Sequence, residues 1–127
     1  MKAKRLPDTE FEIMDAIWDM DPPVTTPMIM EKIGKERGWK TQTLVSLFAR
    51  LTERGFLQVG GHKQRYREFY PVISREEYLS YETDAFVNHY HKNSIVSLLT
   101  SLKGNDKLRE AELAELDEWL KKQQKER

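Results

Sequence analysis

A stripe of apolar side chains at helical spacing opens the chain. It predicts a first helix with Asp8 as its N-cap and an end near Met20, where Asp21-Pro22-Pro23 stops it. The members of the stripe are Phe11, Met14 and Trp18, flanked by Ile13 and Ile17. Thr26-Pro27 then gives the N-cap and first-turn signature of a second helix, which Gly38 closes.

The third predicted helix runs from Thr41, whose hydroxyl caps it, to Gly55 just past its end. Its apolar face carries Leu44, Leu47, Phe48 and Leu51. The opposite face carries side chains that are able to meet base edges or phosphates, namely Gln42, Thr43, Ser46 and Arg50. Only Trp39 and Lys40 separate this helix from the second one, and a helix-turn-helix requires such a brief link.

A strand–turn–strand pattern follows immediately, from Phe56 to Pro71. We predict its turn at Gly60-Gly61-His62-Lys63, with Arg65 and Arg67 on the returning strand. Arg65 and Arg67 can then meet DNA phosphates or the minor groove from the hairpin, and Lys63 is a further predicted DNA-binding residue. A polar-faced helix followed by a basic hairpin is the layout of a winged helix-turn-helix. We therefore predict a mainly α domain with a small β-hairpin wing that binds DNA.

Each of these polar side chains also has an interpretation without DNA. Thr41 caps a helix in any case, and Thr43 and Ser46 are ordinary solvent-facing residues if nothing binds them. Arg50 can form an i, i+3 ion pair with Glu53. Alternate arginines on an exposed strand also keep a sheet edge soluble. The clustering of the polar residues on one arc of the helix is what favours DNA contact.

Three further helices are predicted in residues 74–127. A capping box at Ser74-Arg75-Glu76-Glu77 opens the first, Ser94 caps the second, and Gly104-Asn105-Asp106 breaks the chain before the third. Their apolar stripes are narrow, and no further layer in the sequence covers them. An identical subunit is the simplest cover, so we expect a homodimer interface formed by Ile95, Leu98, Leu99, Leu102, Leu113, Leu116, Trp119 and Leu120. The alternative is a monomer in which these helices fold back on the N-terminal domain.

Length and charge are compatible with this organisation. At 127 residues the chain accommodates one small domain with an oligomerisation extension. We place a winged helix-turn-helix DNA-binding domain at residues 1–73 and a three-helix dimerisation region at residues 74–127. The formal net charge is zero, which is unusual for a DNA-binding protein, but the charges are segregated. Residues 8–21 contain six acidic and no basic side chains, whereas residues 35–67 contain eight lysines and arginines against two glutamates. Such segregation can build a positive surface on a neutral protein.

The composition argues against an enzyme and against a membrane protein. The chain has no cysteine, which excludes disulfides, thiolate zinc sites and thiol catalysis and makes a reducing cytoplasm the expected location. Its histidines, His62, His89 and His91, lack the spacing of a metal site. The sequence contains no phosphate-binding glycine loop, no nucleophile elbow and no apolar run long enough to span a membrane. We therefore expect no cofactor and no metal.

Several short residue groups follow one another along the chain at a characteristic spacing. They are Glu12-Ile13-Met14, Ile17-Trp18, Trp39, Thr43-Leu44, Leu47, Arg50-Leu51, Gly55-Phe56-Leu57, Tyr70-Pro71 and Arg75-Glu76-Glu77-Tyr78. With these groups the chain resembles, over roughly residues 6 to 122, the penicillinase and methicillin-resistance repressor family of bacterial transcription regulators. The resemblance implies a homodimeric repressor that binds a dyad-symmetric operator in double-stranded DNA. It also implies DNA-reading roles for Gln42, Thr43, Ser46 and Arg50, with support from Arg65 on the wing.

The chain departs from that family in ways that bear on regulation. Family members that are released by proteolysis are cut at an Asn-Phe bond, whereas the matching position here reads Thr100-Ser101, which argues against inactivation by that cut. The related copper-responsive repressors carry paired C-terminal cysteines, which this chain lacks. The usual Gly-Arg of the wing tip reads Gln64-Arg65. The inducing signal therefore stays open, as do the operator, the regulated genes and a protease or signalling partner for derepression.

Two classes of function remain after these exclusions. The first is a dimeric, sequence-specific DNA-binding repressor. The second is a winged-helix protein–protein interaction module without DNA affinity. The neutral net charge favours the second, while the polar arc and the basic wing favour the first more strongly.

Overall fold

The computed structural model describes residues 5–63 and 65–126. Within them the chain forms α-helices and a single two-stranded antiparallel sheet. The elements in order are α1 (Asp8–Trp18), α2 (Thr26–Ile29), α3 (Lys35–Arg37), α4 (Thr41–Glu53), β1 (Leu57–Lys63), β2 (Tyr66–Pro71), α5 (Arg75–Tyr90), α6 (Ile95–Gly104) and α7 (Glu110–Lys125). A π-helical turn, Met30–Gly34, joins α2 to α3 into one helical segment, and Gly38 ends it with φ of 70°. The predicted fold class, mainly α with a small β-hairpin wing, is confirmed.

The hydrophobic core lies where α1, α4 and the hairpin meet. Its centre is the apolar stripe of α1, where Ile13, Met14 and Ile17 are almost completely buried. The buried face of α4 adds the residues that its periodicity predicted, Leu44, Leu47, Phe48 and Leu51. On the wing side, the rings of Phe48 and Phe69 meet edge to face with their centroids 4.9 Å apart. Because α4 is fixed on this side, its opposite face is left free to bind a ligand.

The first half of α5 packs on the same core through Tyr78. Its ring lies 5.6 to 5.9 Å, between centroids, from the rings of Phe11, Trp18 and Phe56. The Tyr78 hydroxyl accepts a hydrogen bond from the Leu6 N–H at 2.8 Å and donates one to the Glu82 carboxylate at 3.1 Å. Burial raises the pKa of the Tyr78 hydroxyl, because the phenolate would lose its hydration. Tyr78 therefore ties the N-terminal segment and α5 to one another.

The predicted N-cap role of Thr41 is wrong. Thr41 is the first residue of α4, and Lys40 occupies the cap position with an extended backbone. The Lys40 carbonyl already accepts a hydrogen bond from the Leu44 N–H at 3.2 Å, so the helical ladder starts one residue earlier than predicted. Asp8 and Thr26 are displaced in the same way, since each is the first residue of its helix.

The predicted caps of two C-terminal helices are confirmed. Ser74 and Glu77 exchange hydrogen bonds between side chain and backbone, at 3.0 and 3.1 Å, at the start of α5. The bond from the Ser74 N–H stabilises the carboxylate and so lowers the pKa of Glu77. Ser94 accepts a hydrogen bond from the Ser97 N–H at 3.1 Å at the start of α6.

The predicted turn of the hairpin is wrong. The segment Gly60-Gly61-His62-Lys63 belongs to β1, which pairs with β2 from Leu57 opposite Pro71 to Lys63 opposite Tyr66. The chain therefore reverses between Lys63 and Tyr66, and Arg65 lies at the tip instead of on the returning strand. Gln64, which was predicted to stand beside Arg65 at the wing tip, lies outside the described residues.

A close contact inside the sheet explains why a glycine, Gly60, stands in a strand. The strand register shifts between Val59 and Gly61, and the ring of Tyr70 lies over Gly60. A Cβ atom at Gly60 would collide with that ring, whereas one at Gly61 would meet only a Glu68 carboxylate oxygen at 3.5 Å. Gly60 thus serves the approach of an aromatic side chain and not a reversal of the chain.

The described residues form two compact units, one up to Glu82 and the other from Thr83. The core described above belongs to the first unit. In the described part of the second unit Val87 alone is buried, and neither α6 nor α7 contains a buried residue. None of the described helices is both long and apolar enough to cross a membrane. The division into domains at residues 1–73 and 74–127 stays a prediction.

We expect Gly60→Ala to lower the free energy of unfolding by about 1–3 kcal/mol, because the added methyl group forces the Tyr70 ring or the strand to move. Gly61→Ala is the matched control. It should be neutral or slightly stabilising, since alanine loses less backbone entropy on folding than glycine. Urea denaturation at one fixed protein concentration measures both. Equal losses in the two variants would contradict the role assigned to Gly60.

Candidate nucleic-acid interface

The predicted DNA-reading residues of α4 lie together on its solvent face. Gln42, Thr43, Ser46 and Arg50 are all exposed, and a rotation of about 100° per residue places them within an arc of about 100°. We call these four residues the α4 arc. The buried residues of the helix lie on the other side, so the arc points away from the core. Thr41 is exposed at the N-terminal end of the same helix.

The structure describes the side chains of two of the predicted wing residues. Arg65 is exposed at the tip of the hairpin, and Arg67 is exposed on β2. The side chain of Lys63 lies outside the described part of the chain. Both arginines project from the element that follows α4, so the fold presents two positive side chains next to the predicted reading helix.

An open cavity of about 440 Å³ separates α4 from the wing. One wall is an edge of α4, and the other wall is the hairpin. Arg65 and Arg67 line the cavity, but none of the α4 arc does. Sequence analysis missed several of the lining residues, among them Thr26, Val45, Ala49, Val59 and Tyr66. The sequence does contain a signal for two of them. Val45 and Ala49 are apolar but lie outside the apolar stripe of α4, which indicates apolar side chains on the solvent side of the helix.

Arginines from other elements pair with acidic side chains on different sides of α1. Arg37, at the end of α3, lies 2.9 Å from a Glu12 oxygen, and its guanidinium stacks over Trp39 at 5.5 Å. Arg54, at the C-cap of α4, lies 2.9 Å from Glu10. Each of these pairs joins α1 to one end of the helix-turn-helix. They therefore help to fix the position of α4 on the core.

The pair between Glu10 and Arg54 is the most buried of these contacts. Glu10 is only 2% exposed, while the Arg54 side chain is 36% exposed. The Arg54 Nε atom lies 2.9 Å from Glu10 Oε1, but no described donor makes an aligned hydrogen bond to that oxygen. The short charge separation matters more here than the missing alignment, because a buried carboxylate without a nearby cation is strongly destabilised. Arg54 thus neutralises a charge that the core would otherwise hold unpaired.

Arg75 holds the start of α5 on α1. Its guanidinium hydrogen-bonds to Asp15 and Asp19, each at 2.9 Å, and lies over the Trp18 ring at 5.6 Å. The hydrogen bond from Arg75 lowers the pKa of Asp19 below its ordinary value. The Trp18 indole also donates a hydrogen bond to the Ile73 carbonyl at 2.9 Å. These contacts attach the first turn of α5 to the winged domain.

The arginines that are predicted to contact DNA differ from Arg37, Arg54 and Arg75 in their pairing. Arg50, Arg65 and Arg67 form no ion pair with any acidic side chain that the structure describes. The alternative ion pair of Arg50 with Glu53 is therefore not formed. Arg37 and Arg54 are paired inside the domain, whereas Arg50, Arg65 and Arg67 have no ion-pair partner among the described residues and are available to contact a ligand.

The residues predicted for dimerisation lie on α6 and α7, and none of them is fully buried. Ile95, Leu113, Trp119 and Leu120 are exposed, and Leu98, Leu99, Leu102 and Leu116 are half-buried. Val96, which the prediction omitted, is also strongly exposed. Thr100-Ser101 lies within α6, where the Thr100 hydroxyl donates to the Val96 carbonyl at 2.7 Å. The second unit thus presents an apolar surface that lacks a core beneath it.

Comparison with known proteins gives a consistent result over almost the whole chain. The family model described as penicillinase repressor matches residues 6–122. The methicillin resistance regulatory protein MecI of Mammaliicoccus sciuri is 26% identical over 122 residues, which cover 95% of this chain and 97% of that protein. The proteins of the same name from Staphylococcus aureus (strain N315) and Staphylococcus epidermidis are each 25% identical with the same coverage.

We expect Arg54→Gln to lower the free energy of unfolding by about 1–3 kcal/mol, because it leaves the Glu10 carboxylate buried without a cation. Arg37→Gln is the matched control, since its pair with Glu12 is more exposed and should contribute less than about 1 kcal/mol. Adding Glu10→Gln to Arg54→Gln should restore part of the lost stability. Denaturant titration of the three variants is the measurement, and equal losses in the two single variants would refute the assignment.

Proposed function

Because the chain belongs to the penicillinase repressor family, we propose that this transcriptional repressor acts as a homodimer that binds a dyad-symmetric operator in double-stranded DNA. The family and the matched relatives are regulators and not enzymes. The observation that carries the proposal is the α4 arc together with three exposed arginines that lack ion pairs among the described residues. Each of these side chains is a hydrogen-bond donor or acceptor that pairs with no other side chain in the part of the chain that the structure describes.

In this proposal α4 enters the major groove. A helix with its side chains is about 10–12 Å across, and the major groove of B-DNA is about 12 Å wide. Arg50 is suited to a bidentate contact with guanine O6 and N7, and Gln42 to one with adenine N6 and N7. Thr43 and Ser46 can contact either bases or phosphates, and Thr41 can contact a phosphate near the helix N-terminus.

The wing supplies contacts that do not depend on sequence. Arg65 and Arg67, and Lys63 by its position at the end of β1, would meet phosphates of the strand that passes beside α4. Each lysine or arginine that neutralises a phosphate releases condensed counterions, so the affinity should fall steeply with salt. The neutral net charge is no obstacle, because Glu10, Glu12 and Asp15 of α1, and Asp19 just after it, pair with Arg54, Arg37 and Arg75.

Dimerisation through α6 and α7 is supported by their unburied apolar residues. Helices of this length gain most of their stability from packing of an apolar face, and here that face finds no core within the described chain. A second copy of the same surface would cover it. A two-fold dimer places its recognition helices about 34–36 Å apart, or a multiple of that distance, so the operator half-sites should have a matching separation.

We expect Arg50→Ala to weaken binding of the operator by about 1–3 kcal/mol and to relax base preference at one position of each half-site, because a bidentate base contact is lost. Arg65→Ala should instead weaken specific and unrelated DNA alike and reduce the salt slope by about one unit for each lost phosphate contact. Fluorescence titration of both variants over a range of salt concentrations measures these effects.

The control for both variants is Arg37→Gln, which removes the same charge from a side chain that Glu12 already holds. Its DNA affinity should stay close to that of the wild type. If Arg50→Ala binds the operator as the wild type does, the reading role of α4 is wrong. If the wild type has no DNA affinity at any salt concentration, the protein is a winged-helix module for protein partners instead.

We expect Leu113→Glu to convert the dimer to a monomer, because a carboxylate would be buried without a partner in the interface. Met28→Glu is the matched control, since Met28 is 37% exposed on α2 and Leu113 is 38% exposed on α7. Sedimentation equilibrium at micromolar concentration compares the two. Loss of the dimer should lower the apparent affinity for a two-half-site operator by about 10²–10⁴, because each half-site is then bound alone. A wild-type monomer would overturn the dimer proposal.

A further inference from the structure

Two apolar side chains on α4 stand in water at the edge of the α4 arc. Val45 is 44% exposed, and Ala49, one turn further along the helix, is also exposed. Val45 is three residues from Gln42, and Ala49 is three residues from Ser46, so each is the surface neighbour of a polar residue of the arc. Both also line the cavity between α4 and the wing.

Neither the local structure nor the core accounts for a valine at this position. Valine is a weak helix former, because its branched side chain loses rotamer freedom against the preceding turn. The core face of α4 is already complete with Leu44, Leu47, Phe48 and Leu51. An apolar side chain that leaves almost half of its surface in water gains little from burial. Neither helix propensity nor core packing in the isolated domain therefore explains the exposed apolar surface of Val45.

The rim of the cavity indicates what covers that surface. Arg65 and Arg67 line the same cavity together with one carboxylate, Glu53, and neither arginine has an ion pair among the described residues, so positive side chains outnumber negative ones there. These two arginines beside the apolar wall formed by Val45 and Ala49 fit a partner that carries anionic groups close to small apolar groups. A DNA strand has this chemistry, because its phosphates alternate with deoxyribose rings and its thymines present a C5-methyl group in the major groove. That methyl group lies on the side of the base nearest to its own backbone.

We propose that Val45, with Ala49 beside it, reads thymine in the operator by contact with its C5-methyl group. This inference rests on the proposed entry of α4 into the major groove. Cytosine, which occupies the same position in a G·C pair, has no methyl group and offers an N4–H₂ donor to an apolar side chain that cannot accept it. Val45 therefore selects A·T pairs at positions that the hydrogen-bonding residues of the arc do not contact.

The test uses the full-length protein and duplex DNA selected by that protein from a random-sequence pool. Each thymine of the selected half-site is replaced in turn by deoxyuridine, which removes the methyl group and keeps every hydrogen-bonding group of the base. At one or two thymines of each half-site we expect the affinity to fall about fourfold, the effect of withdrawing one methyl-sized group from apolar contact. When the same thymine is replaced in both half-sites, the affinity should fall by about the square of the factor for one half-site.

The variant Val45→Ala assigns the effect to one side chain. It should bind thymine-containing DNA more weakly and should no longer distinguish thymine from deoxyuridine at those positions. It should remain folded, because alanine is the better helix former. Val72→Ala is the matched control, since Val72 is 47% exposed in the same unit but lies outside α4 and its cavity. It should discriminate as the wild type does.

The possible results separate the inference from the proposal beneath it. If no sequence is enriched from the pool, the proposed DNA-binding function fails, and the inference fails with it. If a sequence is enriched but tolerates deoxyuridine at every position, only the thymine contact is wrong. If Val45→Ala loses affinity equally for thymine and deoxyuridine DNA, Val45 supports the wing or contacts deoxyribose, and the assignment to the methyl group is overturned.

Discussion

Arginines from three different elements pair with acidic side chains around α1, and these ion pairs help to fix the arrangement on which the candidate interface depends. Glu12 holds the end of α3 through Arg37, Glu10 holds the end of α4 through Arg54, and Asp15 and Asp19 hold the start of α5 through Arg75. The apolar stripe of α1 lies in the core at the same time. Helix α1 thus holds α4 in two ways. Its apolar stripe lies in the same core as the buried face of α4, and Glu10 forms an ion pair with Arg54 at the end of α4. Any ligand of α4 meets a helix that the core already holds in place.

The same ion pairs explain how a neutral chain can present a positive surface. Charge that is paired inside the domain contributes little to the field outside it, since opposite charges a few ångströms apart cancel at a distance. Glu10 and Glu12 of α1 cancel the charges of Arg54 and Arg37, whereas Arg50, Arg65 and Arg67 have no ion-pair partner among the described residues. Net charge, which is zero, is therefore a poor guide here, and the partition between paired and free cations decides the character of the surface.

The two compact units differ in how they are stabilised. The unit up to Glu82 contains the buried core, with aromatic contacts around Tyr78 and edge-to-face packing of Phe48 on Phe69. The unit from Thr83 has apolar stripes on α6 and α7 and a side-chain cap at Ser94, but among its described residues Val87 alone is buried. Caps and helix propensity stabilise short helices only marginally in water. The absence of a core among the described residues of this unit is the observation on which the proposed dimer rests.

The sequence by itself determined the features that depend on residues three or four positions apart. The buried and solvent faces of α4, the Ser74 capping box and the Ser94 cap all follow from helical spacing, and each is present in the structure. Tertiary structure decided the rest, because the deciding partners are distant along the chain. The Tyr70 ring packs over Gly60, which explains the glycine within a strand. Arg54 forms an ion pair with Glu10, 44 residues away in the sequence, and Val45 lines a cavity whose other wall is the wing. A local pattern cannot show which distant side chain will contact a residue. It therefore predicted the two faces of α4 correctly, but not the hairpin turn, the arginines without ion pairs among the described residues, or the apolar edge of the candidate interface.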